Sequence, residues 1–336
     1  MLSIIICHRN IELLNAIKKS IKSTIGIPYE LIIIDNTNNQ FSIFSAYNEG
    51  VKKAKYDIIC FTHEDILFHT VNWGEKVVNH FNDPQVGMIG VLGGMAQSDI
   101  PSPWWSNNYF AKSPRNLLMK NAEKKNGVLY QYYSNPYNDI DKTEVIIIDG
   151  LWFCIRKSLF AKISFDEKTF TGFHLYDADI SMQVHQYAKN FVVFDILIEH
   201  LWIGIISKDY YTDLLIFTNK WGNQLPKQIE RVEIDYMLKY NWHALRNLVL
   251  EMKNNGFSKK FIAAIIQKYL PVATKRHNLK WFIFYFYLSQ RIGYANTNRI
   301  FYRLEKFSGF CKMPDYKKII YKGDNVWPPV THYPLL

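Results

Sequence analysis

Tyr56 to Asp65 reads YDIICFTHED, an apolar run of Ile58, Ile59, Cys60 and Phe61 followed by His63, Glu64 and Asp65. Four apolar residues bounded by polar ones fit a strand covered on both faces. Open α/β sheets place ligands at the carboxyl ends of such strands. Oxygen ligands at that position suit Mg²⁺ or Mn²⁺. The plainer reading is a solvated loop after a strand, and the stretch alone leaves both readings open.

On the amino-terminal side, Ser3 to Cys7 reads as a strand. Ile11 to Ile25 carries Leu14, Ile17, Ile21 and Ile25 at the spacing of an amphipathic helix. Leu31 to Ile34 is a second strand ending at Asp35, Phe44 to Ala54 a helix, and Asp57 to Phe61 the third strand. Strands alternating with helices at these short intervals predict an α/β fold with a parallel sheet and right-handed crossovers. Neither a GxGxxG fingerprint nor a GxxxxGK[ST] loop occurs here, and Gly87, Gly90, Gly93 and Gly94 have the wrong spacing. The usual dinucleotide and P-loop sites are therefore not expected.

On the carboxyl side, Trp73 to Phe81 reads as a helix and Val86 to Val91 as a strand. Gln97 to Thr143 then reads as a long polar and aromatic loop with Trp104, Trp105, Tyr130, Tyr132 and Tyr133. Loops of this length are usually functional or mobile, and paired aromatics either stack on sugar faces or simply pack. Strand-like Val145 to Ile148 and Leu151 to Ile155 flank Asp149 and Gly150, and a short helix starts at Ser158. Asp166, Glu167, His174, Asp177, Asp179 and His185 crowd the next segment, and a strand from Phe191 to Ile198 runs into Glu199 and His200. Asp177 stands at a helix start, where a cap is the ordinary role.

A chain of 336 residues with 48% hydrophobic and 16% aromatic content buries a full core. The scattered Cys7, Cys60, Cys154 and Cys311 lack metal or redox spacing and read as reduced thiols of a cytoplasmic protein. A short apolar run before His8 and Arg9 argues against a signal peptide. The longest apolar run, Trp281 to Leu288, is well short of the roughly 20 residues that cross a bilayer. Charge is asymmetric: residues 1–205 carry a formal −2 and residues 206–336 carry +12.

Taken in order, IIICHRN, LIIIDN, AYNEGVKKAKYDIICFTHED, DGLWFCIRKSLF, the FDE to YDAD segment and EHLWIG resemble the family 2 glycosyltransferases of GT-A fold. The likeness spans residues 3–204 and is closest to a bacterial surface-polysaccharide branch with a His-x-Asp motif. It implies a Rossmann-like mixed, mainly parallel sheet flanked by helices over residues 1–205. A mostly helical, basic, aromatic-rich region follows over residues 206–336. By resemblance, Cys7, His8, Arg9, Asp35, Asn36, Asn48, His63, Glu64, Asp149 and Gly150 contact a nucleotide-sugar donor, a UDP-sugar being the expectation. Asp65 binds Mn²⁺ or Mg²⁺, and His200, with Gly204 in a His-x-x-x-Gly pattern, approaches the same metal or a phosphate. The general base falls on Asp177, with Tyr176 replacing the family's Glu, and Asp179 is the second candidate. An ordinary carboxyl there is already ionised at neutral pH.

The resemblance implies an inverting glycosyltransferase acting on a glycan or lipid-linked glycan in cell-surface polysaccharide assembly. A sugar-phosphate nucleotidyltransferase lacks its Gly-rich phosphate loop here, and a catalytically silent glycan-binding protein is the alternative of a different class. In the carboxyl half, Phe257, Phe261, Ile265, Ile266, Tyr269 and Leu270 define an apolar helix face beside Lys259, Lys260 and Lys268. Such a region reads either as core or as a peripheral contact with anionic membrane at the inner face of the cytoplasmic membrane. No nucleic-acid-binding signature occurs, and no nucleic-acid partner is expected.

Overall fold

The isoleucine-rich runs form the parallel end of a central sheet. β1 (Leu2–His8) pairs in parallel with β2 (Tyr29–Asp35) on one side and β3 (Ile58–Thr62) on the other. The crossovers are α1 (Ile11–Thr24) and α2 (Ile43–Lys53). Asn10 caps α1 by accepting from the Glu12 and Leu13 N–H groups, and Ser42 caps α2 by accepting from that of Ser45. Both satisfy donors that a helix start leaves free. α1 buries Leu14, Ile17 and Ile21, the face expected from their spacing. The computed structural model describes residues 1–105, 113–120, 129–201, 206–231 and 234–273, with positions 284, 286–288, 291–293, 296–297 and 300.

β4 (Ile66–Phe68), α3 (Trp73–Phe81), β5 (Val86–Gly90), β6 (Gly93–Gly94) and β7 (Ala96–Gln97) follow. After them come β8 (Arg115–Lys120), β9 (Leu129–Ser134), β10 (Lys142–Val145), β11 (Ile147–Ile148) and β12 (Trp152–Arg156). Then come α4 (Tyr176–Val184), β13 (Lys189–Val193), β14 (Ile198–His200), α5 (Lys208–Trp221) and β15 (Lys227–Gln228). The central sheet has 7 strands in the order β10-β13-β5-β12-β3-β1-β2. β12 is antiparallel to both β3 and β5, so the sheet is mixed. A second sheet of 4 strands runs β4-β14-β8-β9, and β11 with β6 and β15 with β7 make short pairs.

Two features differ from the sequence reading. The segment read as one long loop holds β8 and β9: Tyr130 and Tyr132 are buried while Tyr133 is exposed, the two-residue alternation of a strand. Tyrosine and glutamine on that strand hid the apolar pattern. The strand read from Phe191 to Ile198 is two strands. The chain leaves the central sheet at Val193 and joins the second sheet at Ile198. Between them Asp195 holds the His80 ring at 2.9 Å.

Cys60 and Cys154 are buried, free thiols facing each other in register across β3 and β12, Cys7 is free and half-buried, and Cys311 lies outside the described residues. The chain forms two compact units, the first taking in Met1–Gln97 and Pro103–Val232. This unit extends past the boundary drawn after residue 205, because α5 packs on it: the Trp221 indole N–H donates to the buried Asp179 carboxylate at 2.8 Å. The second unit contains Ser98–Ser102 and the helices α6 (Ile234–Asn254) and α7 (Lys259–Ala273). Gly256, at φ +73°, supplies the left-handed residue that closes α6, and Phe257 N–H then returns to the Met252 carbonyl. Among the described residues no helix is long and apolar enough to cross a membrane. Of the apolar run Trp281 to Leu288, residues 281–283 and 285 lie outside the described residues, and Phe284 and Tyr287 are exposed.

Candidate functional site

The carboxyl ends of β1, β2 and β3 lie side by side, with His8 opposite Asp35 in register. His63 follows β3 directly, its N–H bonded to the Leu151 carbonyl at 3.0 Å. β4 and β14 are antiparallel with His200 opposite Ile66, and the Leu201 N–H donates to the Asp65 carbonyl at 2.8 Å. This pairing brings together residues 135 positions apart in the chain. His63 Nδ1 lies 3.7 Å from Asp65 Oδ1, and His200 Nε2 lies 3.4 Å from Asp65 Oδ2.

Among the described residues, His63, Asp65 and His200 form a group whose ligand atoms all fall within 4.8 Å of one another. Metal bonds of about 2.1 Å separate ligand atoms by about 3 to 4 Å, so a small contraction suffices to seat one divalent cation. The chemistry of the donors agrees. Desolvation by its packed neighbours pushes the half-buried His63 ring, 37% exposed, down to about 4 against the pull of the Asp65 charge, favouring a neutral imidazole able to ligate. Burial raises the Asp65 carboxyl, but the hydrogen bond from His200 and the nearby imidazoles outweigh it and hold it below its ordinary value. Two imidazoles and one carboxylate suit a transition-metal dication better than Mg²⁺, which prefers oxygen. Gly204 lies outside the described residues.

A second pair of acidic groups adjoins this cluster. Asp177 Oδ2 accepts from the Gly150 N–H at 3.0 Å and Oδ1 from the Ala178 N–H at 2.9 Å. Asp149 Oδ1 accepts from the Leu151 N–H at 3.1 Å. Burial, and then the charge of Asp149, push the Asp177 carboxyl up to about 7, while burial raises Asp149. This corrects the expectation that Asp177 is an ordinary, fully ionised carboxylate at neutral pH. Its helix begins from a strained turn: Leu175, a buried non-glycine residue, has φ +62°. Left-handed backbone at such a residue costs about 1–2 kcal/mol. Beyond that turn, Tyr176 and Asp177 both bond Gly150.

Tyr176 was not foreseen as part of the site. Its hydroxyl lies 2.6 Å from His63 Nε2 and 3.0 Å from the Gly150 carbonyl. Gly150 thus joins the two clusters, its N–H to Asp177 and its carbonyl to Tyr176 and onward to His63. The resemblance placed an acidic residue where Tyr176 stands, and that departure was the signal in the sequence. Tyr210 was also missed. Its buried ring packs edge-on against His174 with centroids 5.4 Å apart and tilted against Trp105 at 5.7 Å, and burial, then the Asp177 charge, raise its hydroxyl above its ordinary value.

Several residues expected at the donor are engaged within the protein. Glu64 accepts from the Arg9 and Asn10 N–H groups at 3.0–3.2 Å, so the middle residue of HED shapes the loop after β1. The Asn36 amide closes residues 36–41 through the Phe41 backbone at 2.9 and 3.0 Å, and the Asn48 amide bonds the Phe165 backbone at 2.8 and 3.1 Å. Cys7 is pushed up to about 11 by burial, although the Asn36 hydrogen bond pulls the other way, so it is an uncharged thiol. His8 is buried 3.8 Å from Asp35. Arg9 is exposed, hydrogen-bonded to Asn39 and stacked 4.3 Å over the Phe173 ring. Asp35 is 65% exposed and, with Thr37 holding one of its oxygens, its carboxyl sits below its ordinary value.

Asp179 is not brought to the site. It is fully buried, and its oxygens are taken by Lys220 at 2.7 Å, Trp221 at 2.8 Å and Gln183 at 2.8 Å. No face of it is open to an acceptor hydroxyl. Its charge anchors α5.

Residues 3–219 match the model of a glycosyltransferase-like family, and the chain belongs to that family. No curated protein matches it. Among solved structures, GalNAc-T7 with UDP, GalNAc and Mn²⁺ is 11% identical with a TM-score of 0.47, covering 89% of this chain and 58% of its own. The mannosyltransferase PcManGT from Pyrobaculum calidifontis, in complex with GDP-Man and Mn²⁺, is 12% identical with a TM-score of 0.45, covering 81% and 80%. S. aureus TarS is 13% identical with a TM-score of 0.38, covering 80% and 42%. This chain therefore spans less than two thirds of GalNAc-T7 and of TarS. All three are distant likenesses.

Proposed function

We propose that the protein is a metal-dependent, inverting glycosyltransferase that moves a sugar from a nucleoside diphosphate donor, a UDP-sugar, to a hydroxyl of a glycan or lipid-linked glycan in cell-surface polysaccharide assembly. One observation carries the proposal: a three-ligand cluster and a raised carboxylate meet at a single glycine at the carboxyl end of β3. His63, Asp65 and His200 would hold the cation. A bound Mn²⁺ supplies positive charge for the departing diphosphate. Asp35, exposed at the end of β2, accepts from the base N–H or the ribose hydroxyls.

Asp177 takes the proton of the acceptor hydroxyl as that oxygen bonds to the anomeric carbon. The bond from that carbon to the diphosphate oxygen breaks with its electron pair, and the configuration inverts. A base poised near neutral pH is well matched to this task. In the carboxyl part, α7 reads KKFIAAIIQKYLPVA, with no acidic residue, and Phe261 and Val272 are exposed beside its lysines. That pattern supports a peripheral contact with anionic lipid, where a lipid-linked acceptor would be met.

Calorimetric titration of UDP into the full chain, with and without Mn²⁺ and beside Asp65→Ala, tests the proposal. Mn²⁺ is expected to tighten binding in the wild type and to do nothing in the variant. Failure of UDP to bind under any condition would refute the UDP-sugar reading and favour a glycan-binding protein on this fold.

A further inference from the structure

We infer that Tyr176 is a positioning residue that fixes His63 as the tautomer protonated on Nε2, presenting a bare Nδ1 to the cation, so that the site selects a transition-metal dication over Mg²⁺. The inference rests on the metal-site reading above and deepens it. A phenol has one proton to give. The Gly150 carbonyl, 3.0 Å from the Tyr176 hydroxyl, can only accept, and it takes that proton. The phenol oxygen must then accept from His63 at 2.6 Å, which puts the imidazole proton on Nε2.

Nδ1 is left as a lone pair 3.7 Å from the Asp65 carboxylate oxygen. Two acceptors facing one another repel, and a cation held by these residues would remove the repulsion. The opposite tautomer fails on two counts. Its Nδ1–H would have to span 3.7 Å to Asp65, too far for a hydrogen bond. Its bare Nε2 would take the Tyr176 proton and leave the buried Gly150 carbonyl without it.

The surroundings enforce this arrangement independently. A Cβ at Gly150 would lie 2.1 Å from the Tyr176 oxygen, so only glycine admits the phenol. Phe44 and Tyr47 pack edge-on against the ring with centroids 6.3 and 5.6 Å away. A ligating histidine commonly donates its other N–H to a fixed partner, and loss of that partner weakens metal binding about 10–100-fold. Here that fixed partner is the Tyr176 hydroxyl.

The direct measurement is ¹⁵N NMR of the metal-stripped full chain labelled at histidine, with His63 assigned by its loss in His63→Ala. A protonated Nε2 and a bare Nδ1 are expected; a protonated Nδ1 overturns the inference. Mn²⁺ and Mg²⁺ titrations of wild type, Tyr176→Phe and Gly150→Ala follow. Wild type should bind Mn²⁺ more tightly than Mg²⁺, and both variants should lose about 10–100-fold of the Mn²⁺ affinity. Pulsed electron paramagnetic resonance of bound Mn²⁺ should show nitrogen coupling that diminishes in His63→Ala. Wild-type Mn²⁺ affinity in Tyr176→Phe would sink this inference and leave the transferase reading intact. If the wild type binds no Mn²⁺ at all, the metal-dependent reading falls with it.

Discussion

Replacing Asp177 by Asn should stabilise the metal-free protein at alkaline pH and not at acid pH. The folded carboxyl is pushed from 3.8 up to about 7, first by burial and then by the charge of Asp149. Because the folded value lies above the unfolded one, the stability linked to the protonated form is present below about pH 3.8. It is lost progressively as pH rises through about 7. A gap of about 3 units corresponds to at most about 4 kcal/mol at pH 8.

Asn cannot ionise and escapes that loss, but it has one acceptor where the carboxylate has two, for Gly150 N–H and Ala178 N–H. The missing hydrogen bond costs about 1 kcal/mol. The net expectation is a gain of up to about 3 kcal/mol at pH 8 and a small loss near pH 4. Urea unfolding with a chelator present, at both pH values, reads this directly. Transfer assays on the same variant should show a fall of about 10²–10⁴-fold in turnover. A variant less stable than wild type at pH 8, or with the same stability change at both pH values, would refute the argument. The titration belongs to the Asp149 and Asp177 pair, so both carboxyls contribute to the apparent midpoint.

Lys220→Met should cost about 3 kcal/mol, because it strips the buried Asp179 charge of its counter-ion. Adding Asp179→Asn should recover more than half of that loss in the same unfolding assay. Asn48→Ala should cost about 2 kcal/mol through its two bonds to the Phe165 backbone. It should leave UDP affinity unchanged, and a marked rise in the UDP dissociation constant would return Asn48 to the donor site.

The alternation of apolar runs with amphipathic stretches made the first sixty residues legible. There, β1, α1, β2, α2 and β3 bury the faces that their spacing prescribes. Burial of aliphatic side chains dominates those elements, and its period is written in the chain. β9 was not legible, because after Leu129 its residues are tyrosine, glutamine and serine, and β8 was not, because its apolar run is only Leu117, Leu118 and Met119. The break between β13 and β14 was hidden too, because a chain that changes sheets need not lose its apolar character at the turn.

For the site, the sequence by itself determined the chemical inventory: an imidazole and two carboxylates after β3, a carboxylate opening α4, and a histidine ending β14. Which of them act together was decided by tertiary structure alone. Glu64 and Asp65 are neighbours, yet one caps a loop and the other joins His63 and His200. Asp177 and Asp179 share a helix turn, yet one meets Gly150 and the other anchors α5. Side chains two positions apart on a helix point to different surroundings, and carboxylate chemistry depends on burial and neighbouring charge, which only packing supplies. The sequence names the groups; long-range strand pairing and one close approach at Gly150 give them their partners.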